Sequence, residues 1–134
     1  MYVNVPAAGQ IAIIDPVAKR QIGSWPTGDL HSNYPLTLDE EHGALLVVYR
    51  DPAKVVRYRT ATGQVASIVD TCKDADDVFI DAQRSLLYVI CGSGAIDILH
   101  HDTLKRLGRF STVPGARPQP SSWSFFSHFA RRRL

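Results

Sequence analysis

The sequence predicts an all-β fold, and three observations along its 134 residues support that prediction. Short stretches rich in β-branched and aromatic residues recur along the chain, and turn-forming residues separate them. The connections RDPA, TATG and GSG are short enough to join antiparallel strands as hairpins. The pattern of strands also repeats after about forty residues.

Each apolar stretch predicts one strand, in order from the amino terminus. YVNV is followed by the turn PAAG and then by QIAIID, and RQIGSW precedes the turn PTGD. A second series contains PLTLD, ALLVVYR, KVVRYRT and QVASIVD, and a third contains DVFID, LLYVIC, AIDILHH and RLGRF. The predicted strands span residues 2–5, 10–15, 20–25, 35–39, 44–50, 54–60, 64–70, 77–81, 86–91, 95–101 and 106–110.

Equivalent residues recur between the series. Asp39 and Asp81 each end a short strand and precede a stronger one, ALLVVY or SLLYVI. Asp15, Arg59 and His100 match one another at spacings of 44 and 41 residues. Four short strands repeated at this period are typical of β-propeller blades.

The repeat divides the chain into blades and a tail. Residues 1–117 are predicted to form three consecutive blades, the first of which begins at its second strand. In the tail, residues 118–134, SFFSHFARRRL aligns with PLTLDEEHGAL, which predicts an inner strand that completes a blade. An amphipathic helix and a disordered end are the alternatives for the tail. Because a propeller closes with ~4–8 blades, we expect an incomplete or half propeller. Its partner is then a second copy that closes a six-bladed ring, or the remainder of a longer propeller.

The matched segments resemble the YVTN-type β-propeller repeat proteins, a group related to surface-layer and quinoprotein-like seven-bladed propellers. The residues concerned are YVNV…GQIAIID, LLVVYR…VVRYRTATGQVASI and DADDVFID…LLYVI…GAIDIL. TATGQV matches the typical repeat well, whereas PVAKRQ and DTLKRL match it loosely. The resemblance implies an architecture more than an activity. Relatives of this type are often periplasmic or secreted, but no signal peptide is recognisable in this chain, so its compartment stays unassigned.

Composition and motifs indicate few specific chemistries. The net charge of +2 is too small to indicate nucleic acid or a membrane surface as a partner. No apolar run approaches the ~20 residues that a membrane span requires. G-x-S-x-G, phosphate-binding glycine loops and H-E-x-x-H are absent from the sequence. We therefore expect no nucleic acid, no membrane and no cofactor, and we assign no catalytic residue or metal ligand.

The candidate binding residues lie in the loops that precede the inner strands. In a blade these loops share one end with the connection between the second and third strands, and they surround the mouth of the central channel. We call this end the channel face. Its loops are the longest and most polar connections, as binding loops on a rigid scaffold tend to be. The candidate ligand-binding residues are His31, Asn33, Arg50, Asp51, Asp74, Asp76, Asp77 and Arg117.

Acidic residues and histidines are the side chains best suited to chemistry here. Asp74, Asp76 and Asp77 could ligate a hard cation or accept hydrogen bonds from a polar ligand. DADD lacks the spacing of a calcium-binding loop, so a solvated acidic turn is the alternative. Neighbouring strand residues point to opposite faces of a sheet, and so we do not expect His100 and His101 to bind one metal ion.

These observations favour a non-catalytic binding or scaffold module that recognises its ligand on the channel face. One alternative is a propeller-type lactonase or hydrolase with a metal or an acid/base pair in the channel. Another is a truncated propeller fragment.

The two cysteines, Cys72 and Cys91, do not form a disulfide framework or a metal motif. A hairpin around Gln83 places Cys91 opposite residues near position 75, which leaves Cys72 three residues beyond. A bridge would be strained, given the Cα separation of ~4.4–6.8 Å that disulfides require. We therefore predict two free thiols.

Overall fold

The computed structural model describes residues 1–116, and within that range the chain forms eleven strands. Arg117 and the predicted tail strand in 118–134 lie outside the described residues. The strands are β1 Tyr2–Val5, β2 Gln10–Asp15, β3 Arg20–Pro26, β4 His31–Asp39, β5 Ala44–Asp51, β6 Ala53–Arg59, β7 Val65–Asp70, β8 Ala75–Asp81, β9 Leu86–Cys91, β10 Ala95–His100 and β11 Arg106–Ser111. Two 3₁₀ turns, Pro6–Ala8 and Ala82–Arg84, join strands.

The strands form three antiparallel sheets that follow one another along the chain. The first sheet has the order β1-β2-β3, the second β4-β5-β6-β7 and the third β8-β9-β10-β11. Neighbouring strands in each sheet are consecutive in sequence, so each sheet is a simple meander. The prediction of an all-β fold made of antiparallel propeller blades is therefore confirmed. The division at residue 117 stays a prediction.

The middle sheet is covered on both sides, and its second strand is buried along nearly its whole length. In β5, Leu45 and Val47 pack in a cluster that contains Ile11 of the first sheet. Their neighbours Leu46 and Val48 pack instead in a cluster with residues of the third sheet. Because successive side chains of a strand point to opposite faces, a continuous apolar run is what a doubly covered strand requires.

Aromatic side chains fill the contact between the first and second sheets. Trp25 stacks on Tyr58 with ring centroids 5.9 Å apart and lies 5.3 Å from the ring of Tyr2. The hydroxyls of Tyr49 and Tyr58 are hydrogen-bonded to each other at 2.7 Å. A Cβ atom at Gly63 would lie 2.4 Å from the indole nitrogen of Trp25, so the absence of a side chain there makes room for the indole. This contact is therefore mostly apolar.

The prediction of two free thiols is wrong, because Cys72 and Cys91 form a disulfide with their Cα atoms 6.0 Å apart. The prediction extended strand β8 backwards in a straight line, which carries Cys72 away from Cys91. Instead the chain bends at Asp74, which has a φ of +59°. The carbonyl of Asp74 accepts the backbone N–H of Gly92 at 2.7 Å. A register shift at the start of β8 accompanies this bend, and together they return Cys72 to the end of β9.

Strand β4 is longer than predicted and begins at His31 instead of Pro35. His31 pairs with Asp51 and Asn33 with Tyr49 across the ladder to β5. Pro35 has no backbone N–H for the ladder, and the pairing register shifts between Asn33 and Leu36, as it does at a β-bulge. His31 and Asn33 are therefore strand residues, and their prediction as loop residues is wrong. Within residues 1–116 no helix is long and apolar enough to cross a membrane.

Candidate functional site

Arg50 is at the centre of the polar cluster on the channel face. Its Nε donates to the carbonyl of Ala75 at 2.9 Å, and its Nη2 donates to Asp76 Oδ1 at 2.9 Å. Its Nη1 lies 3.0 Å from Asp74 Oδ1. The guanidinium carbon lies 4.7 Å from the centre of the Tyr34 ring, within the range of a cation–π contact. Three of the predicted site residues therefore meet, and Arg50 joins the second sheet to the third.

The turn between β9 and β10 packs against the two carboxylates of this cluster. A Cβ atom at Gly92 would lie 2.5 Å from Asp74 Oδ2 and 2.9 Å from Asp76 Oδ2. Only glycine leaves space there for the two carboxylates. Asp74 itself has a left-handed backbone, a conformation that aspartate tolerates better than most residues. The bend that closes the disulfide thus also places Asp74 against Arg50.

The remaining predicted residues occupy different environments. Asp77 is partly buried and accepts the backbone N–H of Val78, and burial raises the pKa of its carboxyl above the ordinary value. Asn33 is fully buried and donates to Asn4 Oδ1 at 2.9 Å, so it ties the first sheet to the second instead of facing solvent. His31 and Asp51 are exposed at the end of the ladder between β4 and β5.

A second polar cluster lies at the opposite end of the sheets, and the sequence did not predict it. Asp39 Oδ1 lies 2.9 Å from His42 Nδ1, and Asp39 Oδ2 lies 3.0 Å from His101 Nδ1. Arg57 donates to the carbonyl of His101 at 2.9 Å and lies 3.5 Å from Asp39 Oδ2. Asp102, at 3.3 Å, also faces the guanidinium of Arg57. We call Asp39, His42 and His101 the Asp39 cluster.

Hydrogen bonds in the Asp39 cluster favour the charged forms of Asp39 and His42. Burial alone would raise the pKa of the Asp39 carboxyl, but hydrogen bonds from His42 and His101 outweigh it, and the pKa lies below the ordinary value of 3.8. The hydrogen bond with Asp39 raises the pKa of His42 above the ordinary value of 6.5. The cluster borders a groove of about 640 Å³ whose lining includes His42, Arg57 and Asp102. We call this cavity the His42 groove.

The sequence contained a signal for the contact of Asp39 with His42, but none for the contact of Asp39 with His101. Asp39 and His42 are three residues apart in one hairpin turn, so their proximity could have been read from spacing. His101 follows β10 in the third sheet and is 62 residues from Asp39. Only the packing of one sheet on the next brings it there.

Comparisons with known proteins support the fold and give no family. No protein-family model matches the sequence, and no curated protein matches it. The chain is similar to the crystal structure of Saccharomyces cerevisiae Sqt1, with a TM-score of 0.69 and 12% identity over 81% of this chain and 29% of that one. It is similar to Kuenenia stuttgartiensis hydrazine synthase, with a TM-score of 0.74 and 13% identity over 84% of this chain and 32% of that one.

A third similar structure is BamB from Moraxella catarrhalis, with a TM-score of 0.66 and 15% identity over 84% of this chain and 32% of that one. All three are β-propeller proteins. This chain spans about a third of the length of each of them. At these identities the likeness establishes the propeller fold and does not transfer an activity.

Proposed function

We propose that this chain is a non-catalytic binding or scaffold module made of YVTN-type propeller repeats, and that its channel face recognises the ligand. The propeller neighbours support the fold part of this proposal, and the quoted repeat segments support the YVTN part. The observation that supports recognition is the polar cluster of Arg50, Asp74 and Asp76, which we call the Arg50 cluster. It is a set of charged side chains held in one geometry at the end of a rigid scaffold.

The Arg50 cluster is arranged before any ligand arrives. The guanidinium of Arg50 is held by the Ala75 carbonyl and two carboxylates, so ligand binding costs little side-chain entropy there. The side chain of Asp74 nevertheless remains 56% exposed, and Tyr34 is 54% exposed. A partner can therefore contact an ordered carboxylate and an aromatic ring side by side.

The charge of the channel face favours a cationic group on the ligand. Among the predicted site residues within 1–116, four carboxylates, those of Asp51, Asp74, Asp76 and Asp77, accompany one guanidinium, that of Arg50. Arg50 neutralises part of this charge, and the exposed side of Asp74 remains available to a lysine or arginine side chain. We propose a basic peptide segment as the ligand class.

The lactonase or hydrolase alternative needs carboxylates or histidines that converge in the channel. In the described part of the chain, the acid and histidine side chains close enough together to hold a metal ion are those of the Asp39 cluster, at the other end of the sheets, whereas Asp74 and Asp76 are paired with Arg50. This placement supports the binding module over channel hydrolysis.

A peptide array tests the binding proposal. Purified full chain is applied to immobilised peptides that carry Lys and Arg, with Glu- and Asp-containing peptides as the matched set. We expect selective retention on the basic set, weakened at least ~10-fold by Asp74→Asn because one ionic partner is lost. Asp102→Asn, an exposed carboxylate at the opposite end, is the control. Equal binding to both sets, or equal binding by the Asp74 variant, would refute recognition at this face.

We also propose that further blades complete a ring, supplied by a second copy or by the remainder of a longer propeller. The three sheets are fewer than the ~4–8 blades of a closed propeller. Sedimentation velocity at micromolar concentration distinguishes these two sources. A dimer is expected for a second copy, and a well-folded monomer would contradict it.

A further inference from the structure

We propose that Asp39, His42 and His101 bind a divalent transition-metal ion, for which Zn²⁺ fits the donor set best. The three ligand atoms, one carboxylate oxygen and two imidazole nitrogens, all lie within 4.8 Å of one another. Two histidines and a carboxylate, completed by water, form one of the common ligand sets of zinc. Imidazole ligands also distinguish the site from the all-oxygen sites of calcium and magnesium.

The distances agree with a tetrahedral ion. Metal–ligand bonds of ~2.0–2.1 Å place neighbouring donor atoms roughly 3.3 Å apart. In the structure Asp39 Oδ1 lies 2.9 Å from His42 Nδ1, and Asp39 Oδ2 lies 3.0 Å from His101 Nδ1. The two contacts use different oxygens of the carboxylate, so an ion that replaces both hydrogen bonds can bind Asp39 through one oxygen or through both. Each Nδ1 atom gives up its proton to bind the ion: an imidazolium releases that proton to the solvent, and a neutral imidazole carries it on Nε2 instead.

Two of the three ligands are buried, and the third is open to solvent. The side chains of Asp39 and His101 are 6% and 5% exposed, so two ligands are held within the packed structure. His42 is 43% exposed and borders the His42 groove. An ion can enter from that side, and the groove has space for a water molecule as the fourth ligand.

The nearby cation does not block the site. Arg57 directs its hydrogen bond to the carbonyl of His101, and its other terminal nitrogen faces Asp102. Its contact with Asp39 is longer, at 3.5 Å. A metal ion replaces that contact, and Arg57 continues to hold the backbone that positions His101.

The equivalent turn of the third sheet has the aspartate but not the histidine. Asp81 corresponds to Asp39 in the repeat, but Arg84 occupies the place of His42 and lies 2.6 Å from Asp81 Oδ2. A guanidinium cannot bind a metal ion. His42 thus distinguishes the turn of the second sheet from the equivalent turn of the third, and repeat architecture alone does not account for it.

An ion at this site would connect two sheets. Asp39 and His42 belong to the turn between β4 and β5, whereas His101 follows β10. An ion that binds only the folded chain stabilises it by RT ln(1 + [L]/Kd), where [L] is the free ion concentration. Zinc binding is therefore expected to raise the melting temperature of the whole chain.

The test uses the full chain after treatment with a chelator, and the probe is ZnCl₂ alone. Isothermal titration is expected to give one ion per chain, and the melting temperature is expected to rise with zinc. His42→Ala is expected to weaken binding at least ~10-fold, because one ligand is lost. His31→Ala, an exposed histidine on the channel face, is the matched control and should bind as the unaltered chain does.

A spectroscopic measurement makes the assignment independent of stability. Co²⁺ in place of zinc should give the intense visible bands of a tetrahedral site, and His42→Ala should shift or abolish them. Asp39→Asn should have the same effect, provided that circular dichroism shows it folded. No stoichiometric binding of Zn²⁺ or Co²⁺, or unchanged binding by His42→Ala, would overturn the proposal. Either result leaves the peptide-binding proposal intact, since that site lies at the other end of the sheets.

Discussion

The connections 27–30 and 71–74 have the same topological role and share one backbone anchor, but the second has additional anchors. Each leads from the outer strand of one sheet to the inner strand of the next. In both, the backbone N–H of the first residue donates to a carbonyl of the preceding sheet, at 2.9 Å in the first connection and 3.2 Å in the second. In the second, Thr71 Oγ1 and the backbone N–H of Cys72 both donate to Asp97 Oδ2, at 3.0 and 2.8 Å. The disulfide adds a covalent anchor beside them.

One position of the repeat explains this difference. Asp97 in β10 corresponds to Val56 in β6, and both are fully buried. Across the ladder Asp97 faces Arg109, whereas Val56 faces Ile68. A repeat can therefore use the same position for apolar packing in one sheet and for an ionic anchor in the next. The backbone pattern of a blade therefore leaves open how the blade is joined to its neighbour.

Asp97→Ala is expected to have the largest effect. It leaves the Thr71 hydroxyl and the Cys72 amide without their acceptor and Arg109 without its partner. The two buried donors left without an acceptor cost about 1–3 kcal/mol each, whereas Arg109 is 44% exposed and can be hydrated. Urea denaturation measures the change, with the exposed Asp102→Ala expected to cost at most ~1 kcal/mol. Similar losses for the two variants would contradict the anchoring role of Asp97.

Removal of the disulfide is expected to have the next largest effect. The bridge closes a loop with a sequence separation of 19 residues, and loops of that size contribute about 3 kcal/mol through the unfolded state. Denaturation of the Cys72→Ser/Cys91→Ser variant measures the loss. Hydrogen exchange should become faster at residues 71–74 and stay unchanged at 27–30. Equal acceleration at both connections would show that the bridge does not act locally.

Tyr49→Phe tests the apolar contact between the first and second sheets. The change removes a hydroxyl from a buried pair and leaves that of Tyr58 without this partner. The expected loss is about 1–2 kcal/mol, because a buried polar group has lost its hydrogen bond. Thermal denaturation measures it, and the exposed Tyr34→Phe serves as the control, within about 0.5 kcal/mol of the unaltered chain. A neutral Tyr49→Phe would mean that water replaces the lost partner.

The smallest expected effect is a pH dependence at the Asp39 cluster. The folded-state pKa of His42 is raised, so its protonated form contributes stability that is complete below pH 6.5 and is lost as pH rises through the folded value. The pKa of Asp39 is lowered, so its contribution is present above pH 3.8 and is lost as pH falls through the folded value. Melting temperatures with chelator present should decline slightly above neutral pH. The His42→Ala variant should lack this decline. If the variant shows the same decline, a group other than His42 is responsible for the pH dependence.

Much of the fold could be predicted because it depends on local patterns. The hydrophobic run of β5 and the turn residues TATG predicted strands and hairpins that the structure contains. Arg50, Asp74 and Asp76 were predicted at one face because strand polarity alone decides which loops share an end. Their mutual contacts could not be predicted, since these depend on the left-handed bend at Asp74.

The disulfide and the Asp39 cluster required the packed chain. The sequence alone predicted the strands, their repeat and the direction in which each strand runs, because side-chain alternation and turn chemistry operate over a few residues. The pairing of Cys72 with Cys91 depends on a bend and a register shift that no strand pattern specifies. The meeting of Asp39 with His101 depends on how one sheet lies on the next, which is set by the summed packing of both faces. Contacts between blades are decided at that level, because each blade obeys the same local rules whatever its neighbour is.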